Sequence, residues 1–527
     1  MSKGFDIVIG NPPYIRQERI NDMANGMDYK SMLAEIFAEE VKTEQNPDNK
    51  LGNTMDFSMY FIVRSRQILH EGGYNSFIIT KEWLRVSYGE PIRQFLKYKT
   101  ELKKFIEFVN IKVFQGITVD TIVYVLCNSD CINGKISFCC PQSMEAFQEN
   151  DHDYYYDQPL LDDKVWSFSD PLTEDIKQWI KLYGISIKDL NVNINEGIKT
   201  GFNDPFLIKT ETRNKLIELH PELDENIKPL INGKDLHRYD IRWDDWWLIL
   251  FKMGHSKQIG INNEDEFKST FPALYDHFES FFDVKGKGKG LKQRDDQGDF
   301  WWELRACAYY DELNRFKLIW QRITQGTTFS YDCNGLYPLN SVGFIAGESQ
   351  LLKFLILLSN SKIIDNFYLK EFVKKYGNSG YAFTRFYVSE IKIPTIDSDS
   401  IYYIADYLSF KNSNYLNEIS NFISYDIYFH TKFHEDGLYP DDEMYLLNAV
   451  KPHLKPIEYE EWSELDWKRQ LEEITDAESE QLEELTEEND KIIEEVAESL
   501  KNDEEVKKWK DIIKSHKWVK KIEGKLE

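Results

Sequence analysis

Ten residues near the start constrain the fold of this chain more than any others. Phe5-Asp6-Ile7-Val8-Ile9-Gly10 is an apolar run that stops at Asn11-Pro12-Pro13-Tyr14. Four apolar side chains in six places describe a short parallel strand buried on both faces, with Gly10 expected to open a sharp turn. Beyond it, two prolines fix φ and remove two backbone donors, so Asn11 and the carbonyl of Pro12 stand as uncompeted acceptors on a stiff loop. Such acceptors suit an exocyclic amine, whose hydrogens must be held while the nitrogen lone pair attacks a methyl group. Tyr14 adds a flat face for a base.

The 527 residues exceed one ordinary core and imply roughly three domains. A content of 42% hydrophobic and 14% aromatic residues is that of a folded globular protein. No apolar run approaches the ~18 residues of a membrane span, so no membrane partner is expected and the cytoplasm is the default location. The six cysteines show no paired CxxC elements, and the ten histidines form no ligand spacing, so reduced thiols and no metal are expected. The net charge of -26 argues against nonspecific wrapping of nucleic acid. About half of that excess follows Pro456, and any DNA contact must rest on local basic patches.

Along the chain, helical pieces are expected around Met32 to Thr43. A helix from Met55 follows, ending at Gly72-Gly73, where the glycines would cap it. Strands are expected at Tyr74 to Thr80, Leu102 to Val109, Thr121 to Cys127 and Lys135 to Cys140. An acidic, aromatic connector runs from Asp151 to Tyr183. Lys199 sits between glycine-flanked turns, where backbone donors and a cation could approach a phosphate. The densest basic stretch holds Lys285, Lys287, Lys289, Lys292 and Arg294 within ten residues, ahead of an aromatic run ending at Arg305. Basic residues interleaved with glycine suit a loop laid along a phosphate backbone. Arg322 ends an expected strand from Lys317, and Arg385 follows Tyr381-Ala382-Phe383-Thr384. After Pro456, Leu471, Ile474, Leu482, Leu485, Ile492, Val496 and Leu500 recur at helical steps, with Glu478 and Asn489 interrupting. That pattern reads as a solvated helical tail or a weak coiled coil.

Asn11 to Glu18, NPPYIRQE, resembles the catalytic loop of S-adenosylmethionine-dependent amino-methyltransferases, and more closely that of type IIG restriction-modification enzymes. The resemblance extends through the recognition-domain segments near Lys199 and Ile227 to Leu236 as far as residue 395. It implies an α/β fold: the second half of a doubly wound, Rossmann-like methyltransferase sheet over residues 1–150. An α+β target-recognition domain would follow over 151–400, then a helical region with an acidic tail over 401–527. It implies that Asn11, Pro12, Pro13 and Tyr14 serve catalysis, with Tyr14 and Phe114 stacking on an extruded adenine. Asp56 would lie near the methionine part of S-adenosylmethionine, although an ordinary carboxylate at a helix start explains it equally. Double-stranded DNA would meet Arg16, Gln17, Lys199, Lys285, Lys287, Lys289, Lys292, Arg294, Arg305, Arg322 and Arg385. The family's cofactor motifs precede its catalytic loop, so a second chain is expected to supply that half and the nuclease. An inert, sequence-specific DNA-binding module from a truncated or split gene is the alternative.

Overall fold

The computed structural model describes residues 4–24, 28–52, 54–108, 121–130, 134–141, 154–166, 168, 170–286, 289–376, 380–395 and 400–526. The chain forms two compact units, Met1–Asp175 and Ile176–Glu527.

The first unit is built on a six-stranded sheet. Its strands are β1 (Phe5–Gly10), β2 (Leu69–Thr80), β3 (Glu101–Phe108), β4 (Thr121–Cys127), β5 (Lys135–Cys139) and β6 (Tyr154–Asp157). They lie in the order β1-β2-β4-β3-β5-β6. β1 pairs with β2 in parallel, and β3 with β5, while β4 runs antiparallel to both β2 and β3. Helices α1 (Tyr29–Ile36), α2 (Ala38–Val41), α3 (Phe57–Ile68) and α4 (Glu90–Lys99) complete it. Alternation along the strands sends Phe77, Ile79, Ile122, Tyr124, Leu126 and Phe105 to one face. There they share a core with Met59, Ile62 and Val63 of α3 and Ile92, Phe95 and Leu96 of α4.

Two expectations fail here for a topological reason. β1 is the edge strand, so it is not buried on both faces: Phe5, Ile7 and Ile9 are 63%, 66% and 78% exposed. Nor do Gly72-Gly73 cap α3, which ends at Ile68, because both glycines lie inside β2. The register of β1 against β2 slips between Phe5 and Ile7, and a Cβ on Gly73 would come 2.8 Å from the Phe5 carbonyl oxygen. Glycine is therefore required there by the close approach of two backbones. Gly10 stays extended inside β1. Edge placement is held by a buried polar relay: Tyr124 Oη donates to Asn75 Oδ1 at 2.5 Å, and Asn75 Nδ2 donates to the Val8 carbonyl at 2.9 Å.

In the second unit, one four-stranded sheet orders Ser330–Asp332, Lys317–Gln321, Val342–Ala346 and Asn193–Glu196. Another orders Tyr337–Pro338, Ile227–Ile231, Trp246–Ile249 and Leu207–Lys209. A large aromatic core that includes Phe206, Trp247, Phe251, Phe267 and Trp302 underlies them. Lys317 and Asp332 form an ion pair at 2.7 Å with both side chains fully buried.

The acidic C-terminal stretch is not a solvated tail. Helices Tyr459–Gln470, Asp476–Asn502, Glu504–Ser515 and Lys517–Ile522 bury Leu482, Ile493, Val496, Leu500, Val506, Trp509 and Trp518. Asn489 lies inside the buried stripe and accepts from the Glu458 amide at 3.3 Å, and Ile493 rather than Ile492 packs inward. Glu478 closes a capping box with Thr475 at the start of its helix. The charges cover the outer face of helices whose inner face packs within this unit, as at Trp467 against Trp243.

Candidate catalytic loop and DNA-contact residues

Because β1 and β2 run parallel, their carboxyl ends open on the same edge of the sheet, where open α/β sheets bind ligands. The Asn11–Tyr14 loop leaves that edge and is tied down on three sides. Tyr14 Oη donates to the Ile78 carbonyl of β2 at 3.2 Å, which tethers the half-buried ring to the neighbouring strand and, through burial, raises its pKa. The Ile15 amide donates back to the Pro13 carbonyl at 3.0 Å, and the Phe57 amide at the head of α3 donates to the Ile15 carbonyl at 3.0 Å. Pro12 is buried beneath the loop while Pro13 and Asn11 are exposed. Among the described residues, nothing competes for the Asn11 amide by hydrogen bond.

Asp56 occupies the position before α3 but does not cap it. Its Oδ1 accepts from the Gln17 amide at 3.1 Å and its Oδ2 accepts from Tyr88 Oη at 3.2 Å. Burial is the main cause that raises its pKa, partly offset by those two bonds. Tyr88, which the sequence did not single out, thus braces the loop through Asp56, and burial pushes its own pKa up. The Gln17 side chain is taken by Lys30, whereas Arg16 is exposed. Phe114 lies outside the described residues.

The fit for S-adenosylmethionine is incomplete on these residues. Asp56 is the one candidate contact, and both of its oxygens already serve Gln17 and Tyr88.

Of the basic stretch near residue 290, the side chains of Lys292 and Arg294 are described, and both have partners within the fold. Arg294 is 4% exposed, lies over the Phe206 ring at 4.5 Å and donates to the Glu303 carbonyl at 2.7 Å. Burial lowers its pKa to about 10, and the side chain packs as part of the core. Lys292 pairs with Glu264 at 2.6 Å above the Phe282 ring. Arg305 pairs with Asp296 at 3.3 Å, and Arg322 with Glu196 at 3.0 Å. Sequence spacing brings these cations together, but folding gives each an internal carboxylate or carbonyl. Lys287 is outside the described residues, as are the side chains of Lys285 and Lys289. Lys199 is half-buried and Arg385 exposed; among the described residues neither has an ion-pair partner. The glycines around Lys199 serve packing: a Cβ on Gly197 would meet the Leu339 carbonyl oxygen at 2.2 Å, and one on Gly201, at φ +73°, the Asp295 carbonyl oxygen at 2.1 Å. In the Ile227 to Leu236 segment, Asn232 and Asp235 close a capping box around a turn.

Comparison with known proteins finds two separate matching segments. Residues 1–114 match the Eco57I restriction-modification methylase family, and residues 228–394 match the TaqI-like C-terminal specificity domain. Over these two segments the chain is similar to type II restriction-modification methylases. Among its relatives, the type II methyltransferase M.BstVI of Geobacillus stearothermophilus is 20% identical over 439 residues, 79% of this chain and 72% of that protein. The type II restriction enzyme and methyltransferase RM.Eco57I of Escherichia coli is 26% identical over 214 residues, 39% of this chain. That match spans 20% of the Escherichia coli protein. The type IIL restriction-modification enzyme MmeI, solved in complex with DNA, aligns over 98% of this chain and 57% of its own, with 12% identity and a TM-score of 0.45. The match to residues 1–114 includes the Asn11 loop, and the specificity match includes Arg294, Arg305, Arg322 and Arg385.

Proposed function

We propose that this chain carries the target-amine loop and the DNA-recognition part of an adenine-specific DNA methyltransferase, with S-adenosylmethionine as methyl donor and double-stranded DNA as substrate. The observation that carries the reading is the exposed Asn11 amide, without a hydrogen-bond partner among the described residues and held on a loop tethered at Ile78, Phe57 and Asp56. Asn11 Oδ1 and the Pro12 carbonyl accept the hydrogens of the extruded adenine's 6-amino group, which frees its lone pair from the ring. Tyr14 presents a π face to the base. S-adenosylmethionine supplies the methyl group. The proposal includes further, cofactor-binding strands that pair with β1, an edge strand whose apolar side chains are exposed.

The test is methyl transfer from labelled S-adenosylmethionine to duplex DNA by the full chain, alone and with the product of the adjoining reading frame. Asn11→Ala is expected to abolish transfer and to leave DNA affinity within about twofold. Equal loss of both activities would overturn the division of labour. Binding of DNA by every preparation with no methyl transfer by any would leave an inert specificity module.

A further inference from the structure

Lys292 and Arg294 of the basic stretch near residue 290 are held by partners within the fold, and cations without such partners lie elsewhere in the specificity-domain match. From Val373 to Val388 the chain carries Lys374, Lys375 and Arg385 and no acidic residue, in a protein whose net charge is -26. Lys375 and Arg385 are exposed and Lys374 is half-buried. Among the described residues none of the three has an ion-pair or hydrogen-bonded side-chain partner, unlike Lys292, Arg294, Arg305 and Arg322. A cation already held by an internal carboxylate must break that pair before it meets a phosphate; these three need not.

The backbone brings them to one place. Lys375 lies opposite Tyr381, the Ala382 amide donates to the Lys374 carbonyl at 2.8 Å, and the Tyr376 amide donates to the Gly380 carbonyl at 2.7 Å. Arg385 is three residues beyond Ala382, at most about 11 Å of chain. The backbone positions of the three cations therefore lie close together on one short segment. Tyr376, 57% exposed, lies among them.

The segment is tied to its neighbours beneath. Tyr381–Ala382 pairs antiparallel with Ile323–Thr324. Gly380, at φ +105°, lets the two segments meet where a Cβ would come 2.1 Å from the Thr324 carbonyl oxygen. The turn after Thr324 is fixed by Asp365, which accepts from the Thr327 amide at 2.7 Å and from Arg238 Nη2 at 2.5 Å. That carboxylate is thereby neutralised, and Glu371, at the start of the segment, is 9% exposed.

We propose that Lys374, Lys375 and Arg385 grip the phosphate backbone of duplex DNA, with the Tyr376 hydroxyl as a further phosphate donor. Lysine suits phosphate as a mobile point charge, and phosphate contacts position a protein on the duplex. The proposal rests on the reading of this chain as DNA-binding and names the surface that does it.

The test is fluorescence anisotropy of the full chain with a labelled mixed-sequence DNA duplex between about 50 and 200 mM salt, where phosphate contacts dominate the response. Each phosphate contact contributes about 0.9 to the slope of log K against log salt, so K374Q/K375Q/R385Q is expected to flatten it by about 2 to 3. K292Q, whose cation is held by Glu264, is expected to leave the slope unchanged. An unaltered slope in the triple variant, with native circular dichroism, would overturn the proposed grip while the DNA-binding reading stood. A wild-type chain that binds no duplex at low salt would overturn the reading itself.

Discussion

Asp56 offers the sharpest test of how the catalytic loop is held. Its two oxygens accept from the Gln17 amide and the Tyr88 hydroxyl, so removing it orphans a half-buried backbone donor. Leaving such a donor unpaired costs about 1 to 3 kcal/mol, which corresponds to roughly 5- to 150-fold faster opening. Asp56→Ala should therefore speed hydrogen exchange at the Gln17 amide by that factor. Asp56→Asn should not, because its remaining oxygen still meets Gln17 and its amide donates to the Tyr88 hydroxyl, which can turn its own proton away. Electrostatics point the same way. Burial raises the folded-state pKa of Asp56, so its contribution is fully present below the unfolded value near ~3.9 and is lost as pH rises through the raised value. At neutral pH the uncharged asparagine carries no such cost. Asp56→Asn exchanging as fast as Asp56→Ala would refute the bracing role and return Asp56 to the methyl donor.

Three further outcomes follow from the geometry. In an active preparation, Tyr14→Phe loses the 3.2 Å bond to Ile78 and should keep most methyl transfer; Tyr14→Ala loses a stacking face worth roughly 1 to 3 kcal/mol and should fall by about one to two decades in single-turnover assays. Asp426 is fully buried, accepts from Tyr439 Oη at 2.7 Å and the Leu447 amide at 2.9 Å, and has its pKa pushed up to about 7 by burial. Its raised pKa favours the protonated fold, so wild-type stability relative to Asp426→Asn should decline from about pH 4 to pH 7 in denaturant titrations; a pH-independent difference would count against this. Arg294→Met should leave DNA affinity and its salt slope unchanged, with unfolding stability within about 2 kcal/mol of wild type. A slope reduced by about one would place Arg294 on a phosphate.

Local chemistry was legible in the one-dimensional chain. The strand ending in Asn11-Pro12-Pro13-Tyr14, the strand at Thr121–Cys127 and the helical steps after Pro456 are near-neighbour patterns of polarity and backbone restriction, so they can be read without knowing what lies across from them. Partners distant in sequence are a different matter. Whether Phe5, Ile7 and Ile9 are covered depends on which strand ends a sheet. Gly72 and Gly73 look like a helix cap until β1 is seen to approach them. Arg294 and Lys375 are equally basic as letters, yet one lies buried over Phe206 and the other stands in solvent opposite Tyr381. Asp56 gains its meaning from Gln17 and Tyr88, 39 and 32 residues away. Sequence determined which groups can do chemistry and where the chain must turn. Tertiary structure decided which of those groups remain free to act, because burial and ion pairing are settled only when segments far apart in the chain come into contact.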